Sequence, residues 1–291
     1  QQLGHILFEK LLLPVQKKYG LKIDFIGPDD TQKIIPGINP KGLRGGTFSP
    51  NDGSISPLLT VNAFYHRAVD LGVEFHFKER VRRIQIEKHS VIGVQTEQSE
   101  YRAPIVVDTA GPFSPELSRT AGIDLKVVPD SHEGAITEPV RPFFKCMVVD
   151  LRPGPGSKNF YFYQNLHGQV IFCITPDPPI IGTNKGETAE FLPQVCARLV
   201  HLLPRLKNLR VRRTWRGLYP MTPDGSPLVG WNGQVRGLLH VTGMCGEGLM
   251  LGPGSAEVVA RVIADQTTDD DEIILKAFAP HRSFKGQEAL K

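Results

Sequence analysis

The stretch from Val241 to Asp265, VTGMCGEGLMLGPGSAEVVARVIAD, passes from an apolar strand end through a glycine-crowded turn into an amphipathic helix. Glycines gather at a strand-to-helix junction where something must approach the backbone closely. The first amide hydrogens of the helix then suit a phosphate or a ring that carries negative charge. A plain glycine-rich helix cap is the competing reading. The turn also stands near the end of the chain, whereas nucleotide-binding glycine loops usually open their domain.

Other chemistry-bearing residues are sparse. Cys146, Cys173, Cys196 and Cys245 form no C-x-x-C pair, and no His/Cys cluster has metal-ligand spacing. That favours reduced thiols in a cytosol-like compartment and argues against a structural zinc site. The densest basic run is LKNLRVRRTWRG, Leu206 to Gly217, within a formal net charge of +4. On a strand its alternate arginines face solvent, and no RNA-binding or zinc-finger pattern accompanies it, so nucleic acid is not the expected partner. His240, just before the glycine turn, reads equally as a site residue or a core histidine.

The elements that must position these residues change character along the chain. A length of 291 residues, 40% hydrophobic and 22% charged, suits one or two ordinary globular domains. No apolar run approaches the roughly 18 residues of a membrane span. No signal peptide is visible. A helix is expected from about Leu3 to Lys18, entered part-way, so a start upstream is expected. Prolines 28, 36, 40 and 50 then forbid long regular elements. A capped helix follows over Ser56 to Gly72, with Pro57 at its first position. VEFHF, VRRIQIEK, VIGVQTEQ and APIVVDTAG read as successive strands, the middle pair as a half-exposed hairpin. IVVDTAG, apolar up to its glycine, suits a buried parallel strand ending at a ligand crevice. Between Asp124 and Trp215 the pattern is antiparallel, with strands in FKCMVVDLRP, NFYFYQNLHG and QVIFCITPD, and a helix from Glu187 that Pro204 closes. GLLHVTG returns to the parallel type. A β/α layer is thus split by a β-rich insertion.

In this order, GGTFSPNDGSISPLLTVNAFYHRAVDLGVEF, RVRRI, VIGVQTEQ, VVDTAGPFS, WRGLYPMTPDGSPLVGW and GMCGEGLMLGPGSAEVVA resemble the FAD-dependent amino-acid oxidoreductases. This family holds D-amino acid oxidase, glycine oxidase and sarcosine oxidase, and the sarcosine oxidase and proline dehydrogenase β-subunits are the nearest branch. The resemblance covers roughly Gly45 to Asp265. It implies an α/β (α+β) fold: a Rossmann-like FAD-binding layer over 45–123 and 216–291, and a mostly antiparallel substrate-binding sheet over 1–44 and 124–215. The family begins with a strand and a G-x-G-x-x-G loop for the FAD pyrophosphate. Nothing before Gly20 matches it, and the expectation is that this segment is omitted from the chain.

The resemblance assigns roles. The late glycine turn is implied to face the flavin ring, with the amides of Gly246, Glu247, Gly248, Leu249 and Met250 toward its pyrimidine edge. Thr109, Ala110 and Gly111 correspond to backbone that passes the adenosine and pyrophosphate, and Val81 to the position that meets the adenine. Tyr219 corresponds to the residue near the substrate carboxylate, where a phenol donates one hydrogen bond but no bidentate pair. Gly217 stands where some members carry a flavin-linking cysteine, which implies non-covalent FAD. Met250 stands where sarcosine oxidases place a lysine that activates oxygen, which favours a dehydrogenase passing electrons to an acceptor or partner subunit. Tyr161, Tyr163 and His167 are candidate pocket-lining residues, Tyr163 and His167 with Tyr219 as the catalytic candidates. Asp224 is expected to be structural, and Cys245 a small apolar filler.

The implied reaction oxidises the C–N bond of a small or N-substituted amino acid by hydride transfer to flavin N5, a scheme that needs no dedicated base. A flavin-dependent hydroxyacid or glycerol-phosphate dehydrogenase is the rival enzyme reading, left open by Arg212, Arg213 and Arg216. A non-catalytic flavoprotein-like subunit or assembly factor is the other. The expected compartment is the cytoplasm, with mitochondrial or peripheral membrane association left open.

Overall fold

The computed structural model describes residues 12–286. They form two compact units. One holds the described parts of Gln1–Ser56, Glu133–Pro178 and Gly186–Arg216; the other holds those of Pro57–His132, Pro179–Lys185 and Gly217–Lys291.

In the first unit α1 (Leu13–Lys18) is the described end of the expected N-terminal helix, whose earlier residues lie outside the described range. The proline-rich passage holds only short elements: β1 (Asp24–Ile26), α2 (Pro28–Ile34) and β2 (Gly46–Phe48), with β1 and β2 antiparallel. The main sheet has the order β11-β7-β10-β9-β8, with β7 spanning Val128–Thr137, β8 Val148–Asp150, β9 Ser157–Gln164, β10 Val170–Pro176 and β11 Val211–Met221. Strands β7 and β11 each run from one unit's residues into the other's. Alternation along β9 sends Phe160 and Phe162 into a core with Phe172, Ala135 and Val170. Helix α5 (Phe191–Leu202) covers that face with Phe191, Val195, Leu199 and Leu202, a spacing that keeps one helical stripe apolar. Pro193 is tolerated because it lies in the first turn, where its missing N–H has no intrahelical partner to lose.

The second unit begins with α3 (Pro57–Asp70). Its proline start is as expected, yet none of its residues is buried, and Leu58, Val61 and Phe64 are exposed. VEFHF is a departure from the strand expectation. Residues 73–77 carry no strand, because an extended segment without a hydrogen-bonding partner does not constitute one, and none of the described strands pairs with it. The hairpin does form, from β3 (Val81–Glu87) and β4 (Ser90–Thr96), with β5 (Glu100–Arg102) beside β4. Its two-residue turn, Lys88 and His89, has φ of 49° and 62°, the left-handed pair that matches strand twist.

A second sheet has the order β12-β13-β6, with β12 spanning Leu228–Trp231, β13 Leu238–Thr242 and β6 Val106–Asp108. Strands β13 and β6 are parallel, as the apolar runs suggested. Val229 and Leu239 pack on Val259 of α6 (Gly248–Ile263), while Leu238 packs with Ile84 and Val91 of the hairpin sheet. This gives a helix, a sheet and a second sheet in layers. A short helix α4 (Ser114–Arg119) follows β6, and α7 (Asp269–Ala277) starts with a capping box between Thr268 and Asp271.

The two parallel strands are joined by a buried polar network. The Asp108 carboxylate accepts from the Ala110 amide at 2.9 Å, Ser114 Oγ at 2.9 Å, Ser118 Oγ at 3.3 Å and His240 Nδ1 at 3.2 Å. Because a carboxylate only accepts, the proton of His240 sits on Nδ1. Its Nε2 then accepts from the Asn232 side-chain amide at 3.1 Å, whose oxygen is already held by the Gln234 and Val235 N–H groups. His240 is therefore a core histidine. Burial alone would push the Asp108 carboxyl up, but the bonds from His240, Ala110 and Ser114 outweigh it and hold it below its usual range. A lowered native pKa adds stability above the unfolded value, near 4, and loses it as pH falls through the native one. Asp108→Asn is expected to cost about 1–3 kcal/mol at neutral pH. It should also flatten the loss of stability below about pH 4 relative to the parent, read from urea melts across pH.

Candidate functional site

The glycine turn follows β13 in the second unit. Gly243 and Gly246 have φ of +67° and +93°, and between them Cys245 is buried with φ of 50°. The turn is stitched to the end of β11: the Cys245 N–H donates to the Pro220 carbonyl, and the Thr222 N–H meets Cys245 Sγ at 3.3 Å. Cys245 thus fills space and accepts a bond. Asp224 is structural too, in a buried pair with Arg282.

At the start of α6, no side chain caps the helix. The Met250 and Leu251 amides bond the Glu247 carbonyl, and the Glu247 amide bonds that of Met244. The Gly248 and Leu249 amides, in the first turn, have no acceptor within the helix. Met250 is 73% exposed beside them, and a Cβ added at Gly252 or Gly254 would meet nothing within 4 Å. The end of β6 has similar space: Gly111, with φ of +55°, has an open Cβ position, and its carbonyl accepts from Thr242 Oγ1 of the neighbouring strand. Thr109, Ala110 and Gly111 are thus brought to the end of the same parallel pair that feeds the glycine turn. Unpaired amides at the start of a helix that follows a parallel strand suit the negatively charged edge of a flavin or a phosphate. Gly217 also has an open Cβ position and no nucleophilic side chain. These residues fit FAD. Val81, the adenine candidate, opens β3 opposite Thr96 and is exposed.

Tyr219 lies against the turn. A Cβ on Gly246 would stand 2.4 Å from the Tyr219 ring, so only glycine permits this approach. The Tyr219 ring stacks on His132, with centroids 3.9 Å apart and planes 14° from parallel. His132 Nε2 is 3.1 Å from Asp130 Oδ2, whose other oxygen accepts the Ile180 N–H at 2.8 Å. Asp130 and His132 are both buried, and neither was among the sequence candidates. Their signal was the D-x-H spacing on a strand, which puts alternate side chains on one face.

In the first unit, Tyr161 and Tyr163 share the face of β9 away from Phe160 and Phe162, as alternation predicted. Across the sheet they pair with Cys173 and Ile171, and Val149 lies opposite Tyr161. Further along, Trp215 lies over Gly134, where a Cβ would come within 2.6 Å of the indole. Burial raises the Tyr163 phenol above its ordinary pKa and the Cys173 thiol to about 12, so both stay protonated at neutral pH. His167 is elsewhere: it occupies the exposed turn after β9, its amide bonded to Asn165 Oδ1.

The contact at Gly246 yields a direct test. Gly246→Ala should destabilise the protein by about 1–3 kcal/mol, because both the left-handed backbone and the Tyr219 ring oppose a methyl group. Thermal melts and the flavin content after purification are expected to fall together.

The chain resembles known proteins in sequence and in fold. The chain is 30% identical to glycine oxidase of Pseudomonas aeruginosa over 72% of this chain and 54% of that protein. It is 24% identical to mitochondrial sarcosine dehydrogenase of Mus musculus over 90% of this chain and 30% of that one. The chain thus spans about half, or less, of these relatives. The crystal structure of L-proline dehydrogenase from P. horikoshii superposes with a TM-score of 0.85 at 27% identity, over 93% of this chain and 71% of that one. No helix among the described residues is long and apolar enough to cross a membrane. The family model for FAD dependent oxidoreductases, DAO, matches residues 5–262, and the chain belongs to that family.

Proposed function

We propose that the chain carries the flavin-ring side and the substrate sheet of an amine dehydrogenase, acting on a small amino acid or N-substituted amino acid with non-covalently held FAD. The observation that carries this reading is the uncapped start of α6, whose Gly248 and Leu249 amides follow the parallel strand pair β13 and β6. Gly246 to Met250 would hold the flavin ring, and Thr109 to Gly111 the rest of the dinucleotide. Bound FAD supplies a two-electron acceptor for the substrate C–H bond.

The chain's own residues bind and orient. Tyr219, fixed between Gly246 and His132, offers a phenol to the substrate carboxylate. In the first unit, Tyr161 and Tyr163 share one face of β9. The donors at the α6 start belong to the helix backbone, so they would stabilise developing negative charge with little reorganisation. Met250 brings no positive charge to that helix end, which supports a dehydrogenase over an oxidase. Glycine oxidase and sarcosine dehydrogenase among the relatives, and L-proline dehydrogenase among the structures, support an amine substrate.

The test is anaerobic flavin bleaching by a panel of amino acids, N-methyl amino acids and 2-hydroxy acids. Amines are expected to bleach the flavin. Reoxidation is expected to be at least tenfold faster with an artificial dye acceptor than with air. Bleaching by hydroxy acids alone would overturn the substrate class, and rapid reoxidation by air would overturn the dehydrogenase assignment.

A further inference from the structure

The chain's positive charge is gathered on one surface of the first unit. Residues 139–149 and 204–213 hold seven of the 34 basic residues and none of the 30 acidic ones, so the remainder of the chain is net acidic. The two stretches meet in space. The Glu138 N–H donates to the Arg210 carbonyl at 2.9 Å, the Arg210 N–H donates to Glu138 Oε1 at 3.1 Å, and the Arg205 guanidinium lies 4.1 Å from the centre of the Phe143 ring. Arg141, Lys145, Arg205, Arg210, Arg212 and Arg213 are all exposed, and none forms an ion pair among the described residues. Like charges held together in this way repel, and a partner of opposite sign removes that cost. The turn between β9 and β10 stands at the same surface. On either side of Arg141, the Val140 N–H donates to the Gly168 carbonyl at 3.0 Å and the Phe143 N–H to Gln164 Oε1 at 3.0 Å. Leu166 at the tip of that turn is 97% exposed, and Met147, shortly after Lys145, is 55% exposed. Asn165 Oδ1 accepts the His167 and Gln169 N–H groups, and the Gly168 N–H donates to the Asn165 carbonyl, so the turn closes on itself around Leu166.

We propose that this surface docks on a bilayer rich in anionic lipid, with the cations among the headgroups and Leu166 entering the apolar layer beneath them. The proposal is independent of the flavin reading. Each arginine or lysine within a Debye length of such a bilayer gains from its negative surface potential, and the gains accumulate over the patch. Leu166 gains only where an apolar layer lies just below a charged one, which is the arrangement of a membrane interface. Because the turn's N–H groups are already bonded, entry of its tip strips little water from the main chain. A nucleic acid would match the cations but offers Leu166 no apolar layer. Within the two stretches Phe144 is buried and Phe143 lies under Arg205, so neither ring is free to stack on a base.

Sedimentation of the full chain with lipid vesicles tests this. Binding to phosphatidylcholine vesicles that contain about 30% phosphatidylserine is expected to be at least about tenfold tighter than to phosphatidylcholine alone, and about 0.5 M salt should release it. The double variant Arg212→Glu, Arg213→Glu should weaken binding at least about tenfold. Leu166→Ser should weaken it about threefold or more while the salt dependence stays. Lys276→Glu with Lys285→Glu makes the same change of charge on exposed residues of the second unit and should alter binding less than about twofold. If the arginine double variant fails to fold, Arg141→Glu with Lys145→Glu takes its place. Equal recovery with both kinds of vesicle, no loss on charge reversal in the patch, or no loss in Leu166→Ser would overturn the proposal. Capture by polyglutamate or duplex DNA without binding to vesicles would also overturn it, and would assign the surface to an acidic protein or to nucleic acid.

Discussion

The buried carboxylate of Asp108 is the constraint on which the second unit's architecture rests. It lies 132 residues from His240 in the sequence, and its bond to that ring joins the two strands whose ends lead into Gly111 and the glycine turn. A buried charge of this kind is tolerable only when its lone pairs are filled. Here an amide, two serine hydroxyls and an imidazole fill them. The same network sets the direction of Ala110 and so the path of the backbone toward Gly111.

A second set of close fits grows from the glycine turn. The missing side chain of Gly246 admits Tyr219, Tyr219 lies flat on His132, and His132 is fixed by Asp130. Each member narrows the freedom of the next. The first unit shows a simpler logic. Alternation along β9 separates a phenylalanine face for the core from a tyrosine face, and α5 covers the phenylalanines.

Some patterns that look decisive in the sequence do not settle burial. The helix Pro57–Asp70 has the caps and spacing of an amphipathic element and forms as such, yet its apolar residues stay exposed. VEFHF has strand composition and no strand, since strand structure depends on a partner's backbone rather than on local preference. His167 and His132 illustrate the same limit from the other side. The histidine that drew notice beside an aromatic strand sits in an exposed turn, while the one in PDSHEG is buried at the Tyr219 ring.

The sequence by itself determined most of the element types, the glycine turn and the family, because periodicity, proline and glycine act over a few residues and leave local marks. It also placed Tyr161 and Tyr163 on one face, since the period of a strand is two. Tertiary structure alone decided that His240 serves the core, that Tyr219 rests on the turn, and that Asp130 and His132 join it. Those outcomes depend on hydrogen bonds and ring contacts between residues up to 132 positions apart. No local pattern encodes which distant donor will meet which buried acceptor.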